Sequence, residues 1–208
     1  MKKQVLKSHY NFDKYLSKGR WDSMWHQIDE ALKLKPNNIL EIGPGPGIFK
    51  AVGNALNLDI KTLDIDPDLR PDYLESVFEM PFEDNSFDVV CAFQMLEHLP
   101  YEDSLLAFKE MLRVAKKGVI ISLPDAKNNW PIFFNLPRIG RIPIKILSLK
   151  FWLDKYIFDG EHYWEVNKRA YSLKKVIKDF CLFGWGLERT FRVVENPYHR
   201  FFVFLPRK

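Results

Sequence analysis

Three glycines at alternate positions, Gly43, Gly45 and Gly47 in ILEIGPGPGIF (39–49), follow directly on a short apolar run. Glycine adopts backbone conformations closed to other residues and lets a ligand approach with no Cβ in the way. At the carboxyl end of a strand, such a loop predicts a nucleotide-type ligand. Two phosphate-binding patterns fail here. A dinucleotide loop needs G-x-G-x-x-G, and the position three beyond Gly45 is Ile48. A P-loop needs a following Gly-Lys-Ser/Thr, which is missing.

Asp64 ends the next apolar run, LDIKTLDID (58–66), 21 residues after Gly43. A carboxylate at that place can accept paired hydrogen bonds from two ribose hydroxyls. Asp66 and Asp68 flank Pro67 and read as turn residues. The five histidines (9, 26, 98, 162, 199) are scattered and form no His-x-x-x-His or Cys/His pair, so no metal site is expected. His98, just past the fourth predicted strand, and His162, in EHYWEV (161–166), are the two candidate bases, each with a packed, structural role as its alternative.

These residues need a parallel sheet to position them. Trp21, Trp25, Ile28 and Leu32 fall at helical spacing, which predicts an amphipathic helix over 21–34, stopped by Pro36 and Asn37. Strands are predicted at 37–43, 58–66, 73–77, 86–93 and 118–124, with helices over 48–56 and 101–113. Strand, helix, strand in series is the pattern of a parallel sheet. The link DPDLRPD is too short for a crossover helix. After Asp125, Pro131, Pro137 and Pro143 interrupt any early helix, whereas IKILSLKFWLDKYI (144–157) is predicted to form one. A helix over 172–183 and strands at 186–196 and 200–206 close the chain as an antiparallel hairpin.

The 208 residues suit one domain with a full core, and 47 % hydrophobic content with 15 % aromatics is globular composition. No apolar run reaches the length of a membrane-spanning helix, the amino terminus lacks the apolar stretch of a signal peptide, and two cysteines fit a reducing, cytoplasmic setting. Residues 1–126 carry 15 Lys+Arg against 20 Asp+Glu, a net of −5; residues 127–208 carry 16 against 7, a net of +9. The sign reverses near residue 126. An acidic half that holds the ligand loop precedes a basic, aromatic half suited to an anionic or apolar partner.

The segment around the glycines resembles the first motif, E-x-G-x-G-x-G, of the class I S-adenosylmethionine-dependent methyltransferases of the type 11-like group. EMPFEDNSFDVVCAFQMLEHLP (79–100) and EMLRVAKKGVIISLP (110–124) are similar to that family's P-F-x-D-x-S-F-D strand-four region, its L-E-H turn and its R-V-x-K-x-G approach to strand five. The resemblance covers about residues 37–125. It implies a Rossmann-like α/β fold with a mostly parallel seven-stranded sheet, a final antiparallel hairpin and helices on both faces. It also implies S-adenosyl-L-methionine as cofactor and S-adenosyl-L-homocysteine as product. The residues it assigns to the cofactor are Glu41, Gly43, Gly45, Gly47, Asp64, Ile65, Ser76, Val77 and Gln94. Ser76 stands where the family often has an acidic residue for the adenine amino group.

Under this resemblance the chain divides into a leading helical cap (1–36), a cofactor core (37–125), a lid or substrate insertion (126–165) and a closing helix with strand hairpin (166–208). The insertion interleaves Trp130, Phe133, Phe134, Phe151 and Trp152 with Arg138, Arg141, Lys145, Lys150 and Lys155. A small-molecule or lipid-like acceptor is expected, with peripheral membrane contact through 144–157 as one arrangement; nucleic acid is not the expected partner. The alternatives are a non-catalytic cofactor-binding or scaffold protein of the same fold, and an RNA methyltransferase.

Overall fold

The computed structural model describes residue 10 and residues 15–127, 129–136, 138, 140–147, 156, 158 and 160–207. Five parallel strands form the body of one sheet: β1 (Asn38–Ile42), β2 (Asp59–Asp64), β3 (Tyr73–Leu74), β4 (Phe87–Phe93) and β5 (Ala115–Pro124). A separate antiparallel ribbon, β6 (Asn129–Leu136) and β7 (Gly140–Leu147), follows. The last strands, β8 (Trp185–Arg192) and β9 (His199–Pro206), join the main sheet through β9, antiparallel to β5. The sheet order is β3-β2-β1-β4-β5-β9-β8. The expected seven strands, mostly parallel with a closing antiparallel hairpin, are all present.

Successive side chains of a strand point to opposite faces, and a strand covered on both faces has no polar side. All seven residues of β4, FDVVCAF, are buried. Leu40, Ile42, Val90 and Ala92 face α3 (Tyr101–Val114) and α4 (Leu173–Phe180), which contribute Phe108, Met111, Val176 and Phe180. Ile39, Val89 and Cys91 face α1 (Lys18–Lys33) and α2 (Ile48–Ala55), which contribute Ala31 and Phe49. The sheet is thus sandwiched between helices, as expected.

The helix predicted over 21–34 forms as α1, capped by the Ser17 hydroxyl, which accepts from the Arg20 amide at 3.2 Å. Its buried face is not the tryptophan stripe. Ser23, Gln27, Glu30 and Ala31 are buried, while Trp21 and Trp25 are 50 % and 61 % exposed. Polar anchors decide this rotation: Arg189 of β8 donates from Nε to Glu30 at 2.7 Å, and Asn196 donates to Ser23 at 3.1 Å.

The short link after β2 forms a 3-10 turn, Pro67–Leu69, and no crossover helix, as its length required. The predicted third strand, 73–77, shrinks to two residues. The helix predicted over 144–157 is corrected at its start: residues 144–147 belong to β7 and pair with β6, Ile144 opposite Ile132 and Ile146 opposite Trp130. Ile142, Ile144 and Ile146 recur with period two and are β-branched, which favours a strand over a helix. Pro131 and Pro143 are tolerated because each strand of a two-stranded ribbon keeps an unpaired edge. Residues 148–155 of the predicted helix, with Lys150, Phe151, Trp152 and Lys155, lie outside the described residues, as do the side chains of Trp130, Phe133, Phe134, Arg141 and Lys145. Among the described residues no helix is long and apolar enough to cross a membrane.

Candidate cofactor and acceptor site

The strand order reverses between β1 and β4: the chain winds outward through β2 and β3, then returns to the other side of β1. Loops leaving the carboxyl ends of strands diverge at such a point and open a crevice. Gly43 to Gly47 leave β1 there, and Gln94 to His98 leave β4 beside them.

All three glycines take left-handed conformations, with φ of 68°, 53° and 74°. At Gly43 a Cβ would stand 2.5 Å from Cγ of Met95, so a side chain would collide with the β4 loop as well as being strained. The Gly43 amide donates to Leu63 O at 3.0 Å and so locks the loop to β2. Gly47 precedes α2, whose first turn thus opens onto the crevice.

Glu41, one residue inside β1, is 3 % exposed, and its Oε2 has no hydrogen-bond partner among the described residues. Burial pushes its carboxyl up to about 8, against a smaller opposing pull from Lys50. A buried acceptor of this kind costs free energy until a donor reaches it. On the other side of the loop, Asp64 ends β2, and its Oδ1 accepts from the Asp66 amide at 2.8 Å, which fixes the carboxylate at the turn. A pocket at this edge has walls that include Gly43, Asp64, Ile65 and Val77, four of the expected residues, together with Glu75 and Met95, which were not expected; Glu41, Gly45, Gly47 and Gln94 are not among its walls.

Ser76 is not among the walls. Its hydroxyl accepts from the Phe78 amide at 3.3 Å and turns the chain after β3, whereas Glu75, whose amide donates to Asp64 O at 3.1 Å, stands next to Asp64. The acidic residue on this wall of the pocket is thus Glu75, one position before Ser76. Gln94 is held in a left-handed conformation, φ 53°, with its side-chain amide donating to the Ser122 hydroxyl of β5 at 3.2 Å.

Two tyrosines that sequence reasoning missed cover the loop. Tyr10 Cε1 and the Tyr15 hydroxyl would lie 3.2 and 3.5 Å from a Cβ on Gly45, and the two rings meet edge to face at 4.9 Å. Arg20 stacks over Tyr15 at 4.2 Å. Burial, followed by the charges of Tyr15, Asp64 and Asp66, pushes the Tyr10 hydroxyl up to about 12. No motif marks these residues; only the path of the leading segment brings them over the loop.

The far wall holds the histidines. Leu96–His98 form a 3-10 turn that tucks Glu97 fully inside, 0 % exposed, with neither carboxylate oxygen hydrogen-bonded among the described residues. Burial pushes Glu97 up to about 7. The segment 161–166 runs past this turn: the Tyr163 amide donates to Glu97 O at 2.8 Å, and the fully buried Trp164 packs its ring 4.9 Å from that of Tyr101. His98 and His162 meet with ring centroids 5.0 Å apart. His98 Nδ1 donates to Glu161 O at 3.0 Å, and His162 Nδ1 donates to Glu165 Oε1 at 3.2 Å, where the Tyr198 hydroxyl also donates. Two histidines that looked scattered in the sequence are neighbours in space.

Asp125, at the end of β5, holds that segment in place. It is 1 % exposed and receives Arg200 Nε at 2.6 Å, Asn167 Nδ2 at 2.8 Å and the Lys127 amide at 3.0 Å, with Arg192 at 3.6 Å. Its backbone bridges to Val166, and the Val166 amide donates to Pro124 O at 2.9 Å.

A reversed parallel sheet with an acidic, glycine-rich first loop and an acid at the end of the second strand defines a Rossmann-like nucleotide-type site. Residues 40–123 match the family model described as "Methyltransferase domain". Over that stretch, about two fifths of the chain, the sequence is similar to the methyltransferase-domain family. It is 37 % identical over 90 residues to a demethylmenaquinone methyltransferase of Staphylococcus haemolyticus, a match covering 38 % of this chain and 37 % of that protein. The match thus spans little more than a third of that curated relative. Among solved structures, a Burkholderia thailandensis 1,6-didemethyltoxoflavin-N1-methyltransferase with bound 1,6-didemethyltoxoflavin and S-adenosylhomocysteine superposes with TM-score 0.61 at 10 % identity, over 89 % of this chain and 77 % of that one. A Clostridium acetobutylicum S-adenosylmethionine-dependent methyltransferase superposes with TM-score 0.61 at 9 % identity, over 96 % of each chain. At such identities the likeness is one of fold.

Proposed function

We propose that the protein transfers a methyl group from S-adenosylmethionine to a small-molecule or lipid-like acceptor. The observation that carries this reading is the crevice between β1 and β4, whose walls include Gly43 and Asp64, with Glu41, whose buried Oε2 lacks a hydrogen-bond partner among the described residues, on the strand that leads into it. Glu41 would receive the cofactor's ammonium group, Asp64 its ribose hydroxyls, and Glu75 with the Val77 region its adenine. Gly45 and Gly47 leave room for the main-chain approach, with Tyr10 and Tyr15 closing the crevice from above.

The cofactor, when bound, supplies a methyl group already activated by a positive sulfonium, so the protein's share is to position donor and acceptor and exclude water. His98 and His162 form the acceptor side. The β6–β7 ribbon leaves the carboxyl end of β5, the edge that carries the site, and serves as the substrate lid within 126–165. The demethylmenaquinone methyltransferase relative supports an apolar, ring-bearing acceptor.

Methyl transfer from radiolabelled cofactor into a cell extract, sorted into lipid, small-molecule, protein and RNA fractions, tests this directly. Label in the lipid or small-molecule fraction is expected; label confined to RNA would move the acceptor class, and no label with intact cofactor binding would leave a binding module.

The Glu41 contact has its own signature. Its carboxyl is protonated in the free protein up to about pH 8, and an incoming ammonium favours the ionised form. Cofactor binding is therefore expected to release a proton at pH 7, and affinity to rise with pH until about 8. For the free protein the sign is opposite: a carboxyl raised from 4.5 in the folded state weakens stability as pH climbs from 4.5 to about 8. Calorimetry in two buffers of different ionisation enthalpy measures the proton; Glu41→Gln should abolish its release. Equal apparent enthalpies in both buffers for the unmodified protein would remove Glu41 from the contact.

A further inference from the structure

We infer that Glu97, His98 and His162 form a binding site for one divalent first-row transition-metal ion. The three side chains each present a ligand atom, and these atoms lie within 4.8 Å of one another. A four-coordinate ion with bonds of about 2.1 Å holds its ligands about 3.4 Å apart, so small side-chain rotations close the cluster around it.

Three further observations fit an ion. Glu97 is wholly buried with both carboxylate oxygens lacking hydrogen-bond partners among the described residues, an arrangement that a cation would satisfy. Each histidine donates its Nδ1–H to an acceptor, as the non-ligating nitrogen of a metal-bound imidazole does: the Glu161 carbonyl for His98 and the Glu165 carboxylate for His162. Donation from Nδ1 leaves the lone pair of the neutral ring on Nε2. The second layer is itself braced, since the Tyr198 hydroxyl donates to Glu165 and the Tyr156 hydroxyl to His162 O.

The donor set selects the ion. Two imidazoles and one carboxylate, with no thiolate, suit manganese, iron, cobalt or zinc in the divalent state better than magnesium or calcium, which prefer all-oxygen cages. Three protein ligands also leave coordination positions vacant for an oxygen of the acceptor. That last role rests on the methyltransferase reading; the ion binding does not.

Cobalt(II) is the probe. Titration of the metal-free protein, followed by visible absorption and calorimetry, is expected to give one equivalent bound at micromolar affinity or tighter. Proton spectroscopy of the same complex should show two strongly shifted exchangeable imidazole N–H signals, one from each Nδ1. Glu97→Gln and His162→Gln are expected to weaken binding about 100-fold, whereas His26→Gln, outside the cluster, should leave it unchanged. No binding by the unmodified protein at millimolar cobalt, or wild-type affinity in both cluster variants, would overturn the proposal. Where a cluster variant does not fold, the two shifted N–H signals of the unmodified complex decide, and their absence overturns it. S-adenosylhomocysteine calorimetry on the metal-free sample separates the outcomes: cofactor binding without cobalt binding defeats the ion alone, and cobalt binding without cofactor binding defeats the methyltransferase reading alone.

Discussion

Asp64→Ala is expected to weaken S-adenosylhomocysteine binding about 100-fold while leaving the thermal midpoint of the free protein nearly unchanged. A carboxylate at the end of β2 offers two acceptors to two ribose hydroxyls, and hydrogen bonds to a charged group contribute roughly 1.5–3 kcal/mol each. Two bonds at the lower end come to about 3 kcal/mol, which is about 100-fold in affinity. Asp64→Asn separates recognition from the turn. The asparagine keeps an oxygen for the Asp66 amide, now 2.8 Å from Oδ1, but loses the charge and one acceptor, so a loss of about tenfold is expected. Calorimetry measures both. A change below about threefold in Asp64→Ala would take the ribose contact away from this residue.

Asp125→Ala is expected to be the costliest single substitution for stability. Its carboxylate is 0 % exposed and faces two arginines whose side chains are only 13 % and 11 % exposed, Arg200 at 2.6 Å and Arg192 at 3.6 Å. Burial already pulls Arg192 below its ordinary pKa. Removing one partner of a buried ion pair strands the other charge, which costs about 3–5 kcal/mol. The urea midpoint should fall with little change in slope. Removing the stranded charge as well, in Asp125→Ala with Arg200→Met, should recover part of the loss, because an apolar replacement does not need a partner. A cost below about 1 kcal/mol in the single variant would mean that water or the neighbouring carbonyls satisfy the arginines.

The same substitution reaches the site. The Asp125 backbone amide donates to Tyr198 O at 2.7 Å, the Tyr198 hydroxyl donates to Glu165, and Glu165 receives His162. Asp125 also accepts from Asn167, next to the bridged Val166. Loosening this end of β5 therefore releases the segment that carries His162, and cobalt affinity should fall along with stability.

Much of the geometry at the glycine loop was legible because its signals are local. Gly43, Gly45 and Gly47 declare their left-handed backbone through residue type, the β-branched runs of β1 and β2 declare strands through composition, and Asp64 is placed by the length of one strand-helix-strand unit. The start of the 144–157 helix misled for a local reason too: over 144–147 a period of two and a helical spacing compete, and pairing with β6 settled those residues. The tryptophan stripe of α1 was read correctly as helical, yet the pattern carries no information about which anchors, here Arg189 and Asn196, would turn another face inward.

By itself, the sequence determined the succession of strands and helices, the parallel character of the sheet and the loop at the end of β1, because each follows from the preferences of neighbouring residues and from the few ways in which parallel strands connect. Only the tertiary structure decided that Tyr10 and Tyr15 cover Gly45, that Glu75 and not Ser76 stands beside Asp64, and that Glu97 and His98 meet His162. Those encounters join segments far apart in the chain. Their distances are set by side-chain anchors such as Trp164 and by the buried charges around Asp125, which fix the return path of the chain after β5 and leave no periodic trace in the residues they bring together.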